Sequence, residues 1–287
     1  MNSFTEGGFD AFVFLEYTLK SAIPYSVNMT KLEQTDRQRV VLITGGGKGI
    51  GRGISECFLA NGDQVVICGR SAPDSLPSID GRSAEFIAAN LKEDADIERL
   101  IQEIEQRYGR LDVLINNAGG SPFAMADATS ARYNESILRL NLLAPFSLAQ
   151  QANRLMQQQD EGGVIVFIAS VSGLRASPGT AAYGAAKAGI LNLTKSLAVE
   201  WAPKIRVVAV SPGLIRTEQS HLHYGDEDGI AKVAATVPLG RMGSIADIGN
   251  ACVWLSSNQA SYASGTNIVI DGGGERPSFL DAANANK

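Results

Sequence analysis

A tyrosine and a lysine at helical spacing are the most reactive pair in the sequence. Tyr183 and Lys187 lie four residues apart in AAYGAAKAGILNLTKSLAVE, and Ser170 precedes the tyrosine by thirteen residues. Apolar residues recur through this segment at a helical period, which predicts a helix over 181–200. Residues i and i+4 share one helical face, so the ammonium should lie beside the phenol and lower its pKa. The pair predicts a proton donor and acceptor, although such pairs also occur on ordinary surface helices.

A glycine-rich turn follows the first predicted strand. Residues 40–44, VVLIT, are typical of a strand buried on both faces, and GGGKGIG follows at 45–51 before an amphipathic segment at 52–61. A strand, a glycine turn and a helix in this order can bind a dinucleotide pyrophosphate, because the backbone comes close and the helix start presents amide donors. The spacing here is T-G-x-x-x-G-x-G and not G-x-G-x-x-G, so the loop alone also allows an ordinary turn.

Further strands alternate with helices along the chain. Strand-like runs recur at 64–68, 84–89, 111–115, 163–169, 206–210 and 267–270, with helical patterns between most of them, including a long one at about 133–158. This alternation predicts an α/β fold, a single-domain, doubly wound parallel sheet of Rossmann type with about seven strands and helices on both faces. The length of 287 residues and the 45% hydrophobic content suit one large core.

Four motifs in order resemble those of the short-chain dehydrogenase/reductase family over about residues 38–275. They are TGGGKGIG at 44–51, NNAG at 116–119, the Asn141, Ser170, Tyr183 and Lys187 set, and Ser211-Pro212-Gly213 with Thr217 beyond. The resemblance is greatest to the 3-oxoacyl carrier-protein reductase branch. It implies a nicotinamide-dependent oxidoreductase that interconverts a ketone and a secondary alcohol.

The resemblance also implies a role for each of four catalytic residues. Tyr183 would exchange a proton with the substrate oxygen, and Ser170 would hydrogen-bond that oxygen. Lys187 would lower the phenol pKa and bind the nicotinamide ribose. Asn141 would hold a water molecule that links Lys187 to solvent, although an asparagine within a helix is often only structural.

The cofactor contacts implied by the resemblance lie in five segments of the chain. They are Gly45, Gly47, Lys48, Gly49, Ile50 and Gly51; Arg70; Asn90 and Leu91; Asn117, Ala118 and Gly119; and Pro212, Gly213, Ile215 and Thr217, together with Tyr183 and Lys187. Asn90 stands where an aspartate is common in the family, which leaves the contact to the adenine amino group open.

The end of the second predicted strand indicates which cofactor is preferred. QVVIC ends in Gly69-Arg70-Ser71, and no carboxylate appears before Asp74 to hold a ribose 2′-hydroxyl. The Arg70 guanidinium suits a 2′-phosphate, and Lys48 adds a second positive charge. We therefore expect NADP(H) to be preferred over NAD(H), the alternative being that both side chains are ordinary solvated cations.

The sequence leaves the substrate open. Residues 214–240 should form a substrate lid with Gly225 and Gly229 as hinges, and two groups of residues, Ser121, Pro122 and Phe123 with Leu174 and Arg175, should form the walls. The first hypothesis is reduction of a 3-oxoacyl thioester or similar ketone. The second is oxidation of a polyol, sugar or hydroxysteroid, and the third is a non-catalytic NADP-binding sensor.

Composition argues against several other classes of protein. The net charge of −5 and the lack of a basic stripe argue against nucleic-acid binding. Three separated cysteines suggest reduced thiols in the cytoplasm, and two histidines in one loop, far from any cysteine pair, argue against a metal site. We expect no signal peptide and no membrane span.

The two ends of the chain and its assembly complete the predictions. Residues 1–37 form an extension; either Met29 is the physiological start, or a short helix carrying Phe12 and Phe14 docks on the protein. Residues 276–287 form a tail. The family resemblance implies a homotetramer that pairs through helices and through the C-terminal strands, with a dimer as the alternative.

Overall fold

The strands and helices fall close to their predicted positions in the computed structural model, which describes residues 37–282. The strands are β1 (Val40–Thr44), β2 (Gln64–Gly69), β3 (Ser78–Ile79), β4 (Arg82–Ser83), β5 (Glu85–Ala88), β6 (Val113–Asn116), β7 (Gly163–Ile168), β8 (Ile205–Pro212) and β9 (Asn267–Ile270). The helices are α1 (Gly49–Ala60), α2 (Asp94–Tyr108), α3 (Ala131–Leu138), α4 (Ala144–Gln157), α5 (Ala181–Glu200), α6 (His221–Tyr224), α7 (Glu227–Ala235), α8 (Ile245–Leu255) and α9 (Phe279–Ala282).

Seven strands form one parallel sheet, which confirms the predicted doubly wound α/β fold. Their order is β5-β2-β1-β6-β7-β8-β9, and each neighbouring pair is parallel. The chain runs outward from β1 to β2 and β5 and then crosses to β6 on the other side of β1. The switch point therefore lies between β1 and β6, where open α/β sheets bind ligands beyond the carboxyl ends of their strands.

Helices cover both faces of the sheet, which explains why the strands are apolar throughout. Leu42 of β1 packs in a core with α2, α4 and α5, whereas its neighbours Val41 and Ile43 pack against α1 and α8 on the other face. Successive side chains of a strand point to opposite faces, so a strand buried on both sides carries no polar alternation. The short β-branched runs were therefore reliable strand signals.

The structure departs from the predicted elements at two places. The helix expected at about 133–158 is interrupted, because a π-helical segment, Arg139–Leu143, separates α3 from α4. Between β2 and β5 the chain forms the small antiparallel hairpin β3–β4 and no helix. Asp80 and Gly81 at its turn both have positive φ, as a two-residue hairpin turn requires.

The predictions about residues 1–36, including Met29, Phe12 and Phe14, lie outside the described residues, as does the end of the C-terminal tail from residue 283. Within residues 37–282, none of the helices combines the length and the apolar character needed to cross a membrane.

Candidate active site

Ser170, Tyr183 and Lys187 come together at the carboxyl end of β7. Ser170 follows that strand, and its hydroxyl accepts a hydrogen bond of 3.1 Å from the Ser172 amide at the start of a 3₁₀ turn. The 3₁₀ turn packs tightly on α5, since a Cβ at Gly173 would lie 2.7 Å from the Lys187 carbonyl carbon. This packing places Tyr183, in the first turn of α5, near enough to Ser170 for the serine side chain to lower the pKa of the phenol.

Lys187 is a buried lysine whose amine has a neutral partner. Its side chain is 5% exposed, and Nζ donates a 2.7 Å hydrogen bond to the Ile168 carbonyl. No carboxylate of residues 37–282 forms an ion pair with it. Burial disfavours the charged form and lowers the pKa of Lys187 to about 8. The amine can therefore exchange a proton near neutral pH.

The predicted lowering of the Tyr183 pKa was wrong for this structure. Burial raises the pKa of the phenol, and the hydrogen bond with Ser170 opposes this shift only in part. Lys187 Nζ lies 5.5 Å from the centroid of the tyrosine ring and bonds the Ile168 carbonyl. The ammonium thus faces the ring and a backbone carbonyl, and desolvation of the phenolate is the dominant effect.

Asn141 lies in the π-helical segment and is fully buried. Its side-chain Nδ2 donates to the carbonyls of Gly120 at 3.0 Å and Ile137 at 2.9 Å, while Oδ1 accepts from the Gly120 amide at 2.8 Å. Gly119 of the NNAG loop lies close to both Asn141 and Lys187. A Cβ at this glycine would lie 2.6 Å from Asn141 Oδ1 and 3.5 Å from Lys187 Nζ. The side chain links the π segment to this loop, and its part in proton relay remains a prediction.

The glycine loop has the tight backbone that a pyrophosphate site needs. Gly45 and Gly49 have φ values of 64° and 53°, which favour glycine. A Cβ at Gly51 would lie 2.2 Å from the Gly45 carbonyl oxygen, and one at Gly46 would lie 2.4 Å from Ile67. Helix α1 begins at Gly49, and Lys48 before it provides no side-chain cap. Backbone amides at this helix start suit an anionic group, so the loop fits the pyrophosphate of a dinucleotide.

Thr44 and the NNAG loop join the carboxyl ends of β1 and β6. The Thr44 hydroxyl oxygen accepts hydrogen bonds from the amides of Asn117 at 2.9 Å and Ala118 at 2.8 Å. The Asn117 side chain in turn donates to the Thr44 carbonyl at 2.8 Å. These bonds hold together the ends of β1 and β6, which border the switch point of the sheet. Contacts of Asn117, Ala118 and Gly119 with a cofactor remain predictions.

Asn90 and Leu91 follow β5 at the same edge of the sheet. The Asn90 amide donates to the Asp96 carboxylate at 2.7 Å, and its side-chain oxygen accepts from the Lys92 amide at 3.3 Å. Leu91 is buried in the core. Both residues are thus held by the turn into α2, and their adenine contacts remain predictions.

The segment after β8 extends from the sheet toward the glycine loop. Pro212 ends β8, and the Gly213 amide donates to the Ile270 carbonyl at 2.9 Å. Ile215 forms an isolated bridge with Gly243. The Thr217 methyl group would lie 3.8 Å from a Cβ at Gly49, which places the predicted cofactor residue Thr217 beside the loop.

Glu218 makes a contact that sequence reasoning missed. Its carboxylate accepts a 3.0 Å hydrogen bond from the Gly49 amide, at the start of α1. The two residues are 169 positions apart, so no local pattern could have linked them.

Arg70 and Lys48 lie at one edge of the site. Both side chains are exposed, and neither forms an ion pair within residues 37–282. The segment after Arg70 folds back onto the glycine loop, since a Cβ at Gly47 would lie 3.0 Å from Pro73. Arg52 of α1 also donates to the Ser75 carbonyl at 3.1 Å. The fold thus brings the end of β2 close to the loop that carries Lys48.

Two clefts adjoin the catalytic residues. One, of about 260 Å³, is lined by Leu174, Arg175, Leu214 and Glu275, among others, and Arg175 forms an ion pair with Glu275. Another, of about 330 Å³, contains Ser121. The pairing with Glu275 had no signal in the sequence.

Within residues 37–282, no group of three or more His, Cys, Asp or Glu side chains is placed to hold a metal ion.

Comparisons with known proteins show which proteins the chain resembles. A protein-family model described as Enoyl-(Acyl carrier protein) reductase matches residues 45–275. The 3-oxoacyl-[acyl-carrier-protein] reductase FabG of Escherichia coli (strain K12) is 32% identical over 238 residues, which cover 82% of this chain and 96% of FabG. An uncharacterized short-chain type dehydrogenase/reductase of Sinorhizobium fredii, y4vI, is 38% identical over 83% of this chain, and the match spans 44% of that protein's own length.

A solved structure shows the same fold. The ligand-free aldohexose dehydrogenase of Thermoplasma acidophilum superposes with a TM-score of 0.78 at 27% identity, covering 88% of this chain and 97% of that one. The family match spans both the glycine loop and the Ser170, Tyr183 and Lys187 cluster. The protein is therefore an oxidoreductase that belongs to the short-chain dehydrogenase/reductase family.

Proposed function

We propose that the protein is an NADP(H)-dependent oxidoreductase that reduces a 3-oxoacyl thioester or a similar ketone to a secondary alcohol. The observation that carries this proposal is the cluster of Ser170, Tyr183 and Lys187, held beside a glycine loop that fits a dinucleotide. The likeness to FabG, whose name states a 3-oxoacyl carrier-protein reductase, supports the substrate class.

The side chains divide the proton chemistry among them. Bound nicotinamide supplies the hydride in reduction and accepts it in oxidation. Tyr183 donates its phenolic proton to the substrate carbonyl oxygen, and its raised pKa keeps that proton in place at neutral pH. Ser170 donates a hydrogen bond to the same oxygen and stabilises the developing negative charge. Lys187, with a pKa of about 8, lies beside the phenol and resupplies its proton, with Asn141 close by.

The cofactor would be held by residues along the carboxyl edge of the sheet. The loop at 45–51 would bind the pyrophosphate, the residues after β5 and β6 would border the adenosine, and the segment from Pro212 to Thr217 would border the nicotinamide. Arg70 and Lys48 would bind the 2′-phosphate, which is the basis for preferring NADP(H) over NAD(H).

Replacing Tyr183 with phenylalanine tests the proposed reaction. Loss of the general acid should lower kcat for an acetoacetyl thioester by roughly 10²–10⁴-fold, measured as NADPH consumption. Binding of NADPH, followed by fluorescence, should persist. The matched control is Tyr262→Phe, because Tyr262 is fully exposed and should leave turnover unchanged. Undiminished kcat in Tyr183→Phe would contradict the proposal.

Reversing the charge of Arg70 tests the cofactor preference. In Arg70→Asp, the ratio of NADP to NAD affinity should fall by about tenfold or more, because charge-assisted hydrogen bonds to the 2′-phosphate are lost. Arg132→Asp, an exposed site on α3, is the control and should preserve the ratio. An unchanged ratio in Arg70→Asp would show that the 2′-phosphate is bound elsewhere or not at all.

Oxidation of a sugar or another alcohol is the second candidate. The likeness to an aldohexose dehydrogenase favours it. NADPH oxidation with acetoacetyl thioesters, compared with NADP reduction by aldohexoses and other alcohols, separates the two. Tight NADP binding without turnover in either assay would indicate a sensor.

We also infer a cytoplasmic homotetramer, with a dimer as the alternative. The three cysteines are free thiols, as is usual for proteins of a reducing compartment. Val269 is 40% exposed on β9, the edge strand of the sheet, and would be covered by pairing between subunits.

A further inference from the structure

Glu218 occupies the position where the proposed cofactor would place negative charge. Its carboxylate oxygen lies 3.0 Å from the Gly49 amide nitrogen, and Gly49 is the first residue of α1. Amides in the first turn of a helix lack backbone partners within the helix and favour an anion. Because Lys48 offers no side-chain cap, Glu218 acts as the cap from a distant segment.

The side chain is placed so that it can leave without unfolding its surroundings. Glu218 is exposed. The turn that carries it is fixed independently, since the Thr217 amide donates to the Ser220 hydroxyl at 2.9 Å and Ser220 is buried. His221 Nδ1 also lies 3.0 Å from the Glu218 carbonyl oxygen. Rotation of the Glu218 side chain alone therefore frees the Gly49 amide.

We propose that Glu218 is an internal competitor for the anion-binding start of α1. Its carboxylate must leave the Gly49 amide before a dinucleotide pyrophosphate can bind there, and the two negative groups repel each other while both are near. Glu218, which lies in the predicted lid at residues 214–240, thus sets the cofactor affinity of the glycine loop. This inference rests on the proposed function only in taking the glycine loop as the cofactor site.

Calorimetric titration of NADPH into Glu218→Gln and Glu218→Ala tests the proposal. If the carboxylate occupies the amide for most of the time, its removal should lower Kd by roughly three- to tenfold, because a larger fraction of the protein is competent to bind. Asp228→Asn is the matched control. It removes one negative charge from the same lid, at an exposed residue that pairs with Lys232 in its own helix, and Kd should stay within about twofold of wild type.

Thermal unfolding adds a readout that distinguishes competition from a purely structural role. Without cofactor, Glu218→Ala should melt at a slightly lower temperature than wild type, because a favourable helix-start charge is lost. With saturating NADPH, its gain in melting temperature should exceed that of wild type. A Kd that is unchanged or higher in both Glu218 variants, relative to Asp228→Asn, would overturn the proposal.

Inorganic pyrophosphate separates this inference from the proposed function. If wild type binds neither NADPH nor NADH, the proposed function fails, and pyrophosphate then serves as the probe. Tighter pyrophosphate binding in Glu218→Ala than in wild type would still support competition at α1. Equal binding would reject it.

Discussion

Lys187 shows how a single buried charge can serve chemistry at the expense of stability. The amine lies between β7 and α5 with a backbone carbonyl as its hydrogen-bond partner, and its pKa falls to about 8 from an ordinary value of 10.5. The folded protein therefore binds a proton at this site less readily than the unfolded chain does. A group of this kind is expected where proton exchange is needed near neutral pH.

The stability of the protein should consequently rise with pH over this interval. Between about pH 8 and 10.5 the unfolded chain keeps the lysine proton that the folded protein has lost, so the free energy of unfolding increases. Relative to Lys187→Met, wild type should gain on the order of 2 kcal/mol across this range, measured by urea unfolding.

Lys195→Met is the control for this experiment, since Lys195 is exposed on the same helix. Its stability should follow that of wild type at each pH. Parallel curves for wild type and Lys187→Met would show that the pKa of Lys187 is not depressed.

At the residue scale, the sequence predicted which side chains meet but not their electrostatics. Helical spacing was sufficient to place Lys187 beside Tyr183. Whether the pKa of the phenol rises or falls depends instead on burial and on which group binds the ammonium. That group is the carbonyl of Ile168, which belongs to another element. Glu218 illustrates the same limit, because its partner Gly49 is joined to it only by the tertiary fold.

At the scale of single elements, the beginnings of β1 and β6 are joined through Asp112, which also forms a buried ion pair with Arg110. Arg110 Nε bonds the Asp112 carboxylate at 2.9 Å, and the same carboxylate accepts from the Val40 amide at 2.7 Å. Arg110 also reaches Glu161, which is exposed. Asp112 therefore has the structural role that its place before the strand suggests.

Replacing Asp112 should be costly, whereas replacing Glu161 should not. Asp112→Ala leaves the Val40 amide unpaired and leaves the buried guanidinium with the exposed Glu161 as its remaining acidic partner, and should lower the free energy of unfolding by about 3–5 kcal/mol. Glu161→Gln changes the same network at a side chain that is 63% exposed, and should cost about 1 kcal/mol or less. Urea unfolding measures both, and equal losses would show that burial does not govern this pair.

The interruption at Asn141 marks what periodicity cannot detect. Apolar spacing over 133–158 is helical throughout, and one wider turn does not change the residue composition. The π segment is recognised only in the structure. The Ala144 amide donates a hydrogen bond to the Arg139 carbonyl, and the Asn141 side chain donates one to the Gly120 carbonyl. Such turns often accompany functional positions in helices.

At the scale of the whole molecule, the sheet was predictable because its strands are buried on both faces. The observed bounds of its seven strands differ from the predicted ones by no more than two residues. The connection from β2 to β5 was not predicted, although the Asp80-Gly81 pair is a typical hairpin turn. Its strands have only two residues each, too short for an alternating pattern.

Light scattering at micromolar concentration tests the proposed assembly. Wild type should have the mass of a tetramer, and Val269→Asp should reduce it, because a carboxylate on the exposed edge strand disfavours pairing between subunits. Leu76→Asp, at a partly exposed residue near the β3–β4 hairpin, should leave the mass unchanged. A monomeric mass for wild type would exclude both the tetramer and the dimer.

The strand beginnings carry a different set of interactions from the strand ends. Arg39 pairs with Asp63, Arg110 with Asp112, and Lys204 donates to the Gln157 and Gln159 carbonyls, all on the side of the sheet opposite Tyr183. Immobilising or fusing the enzyme through that side would keep a full strand length between the attachment and the reacting groups. Substrate and cofactor would then still enter from the open side.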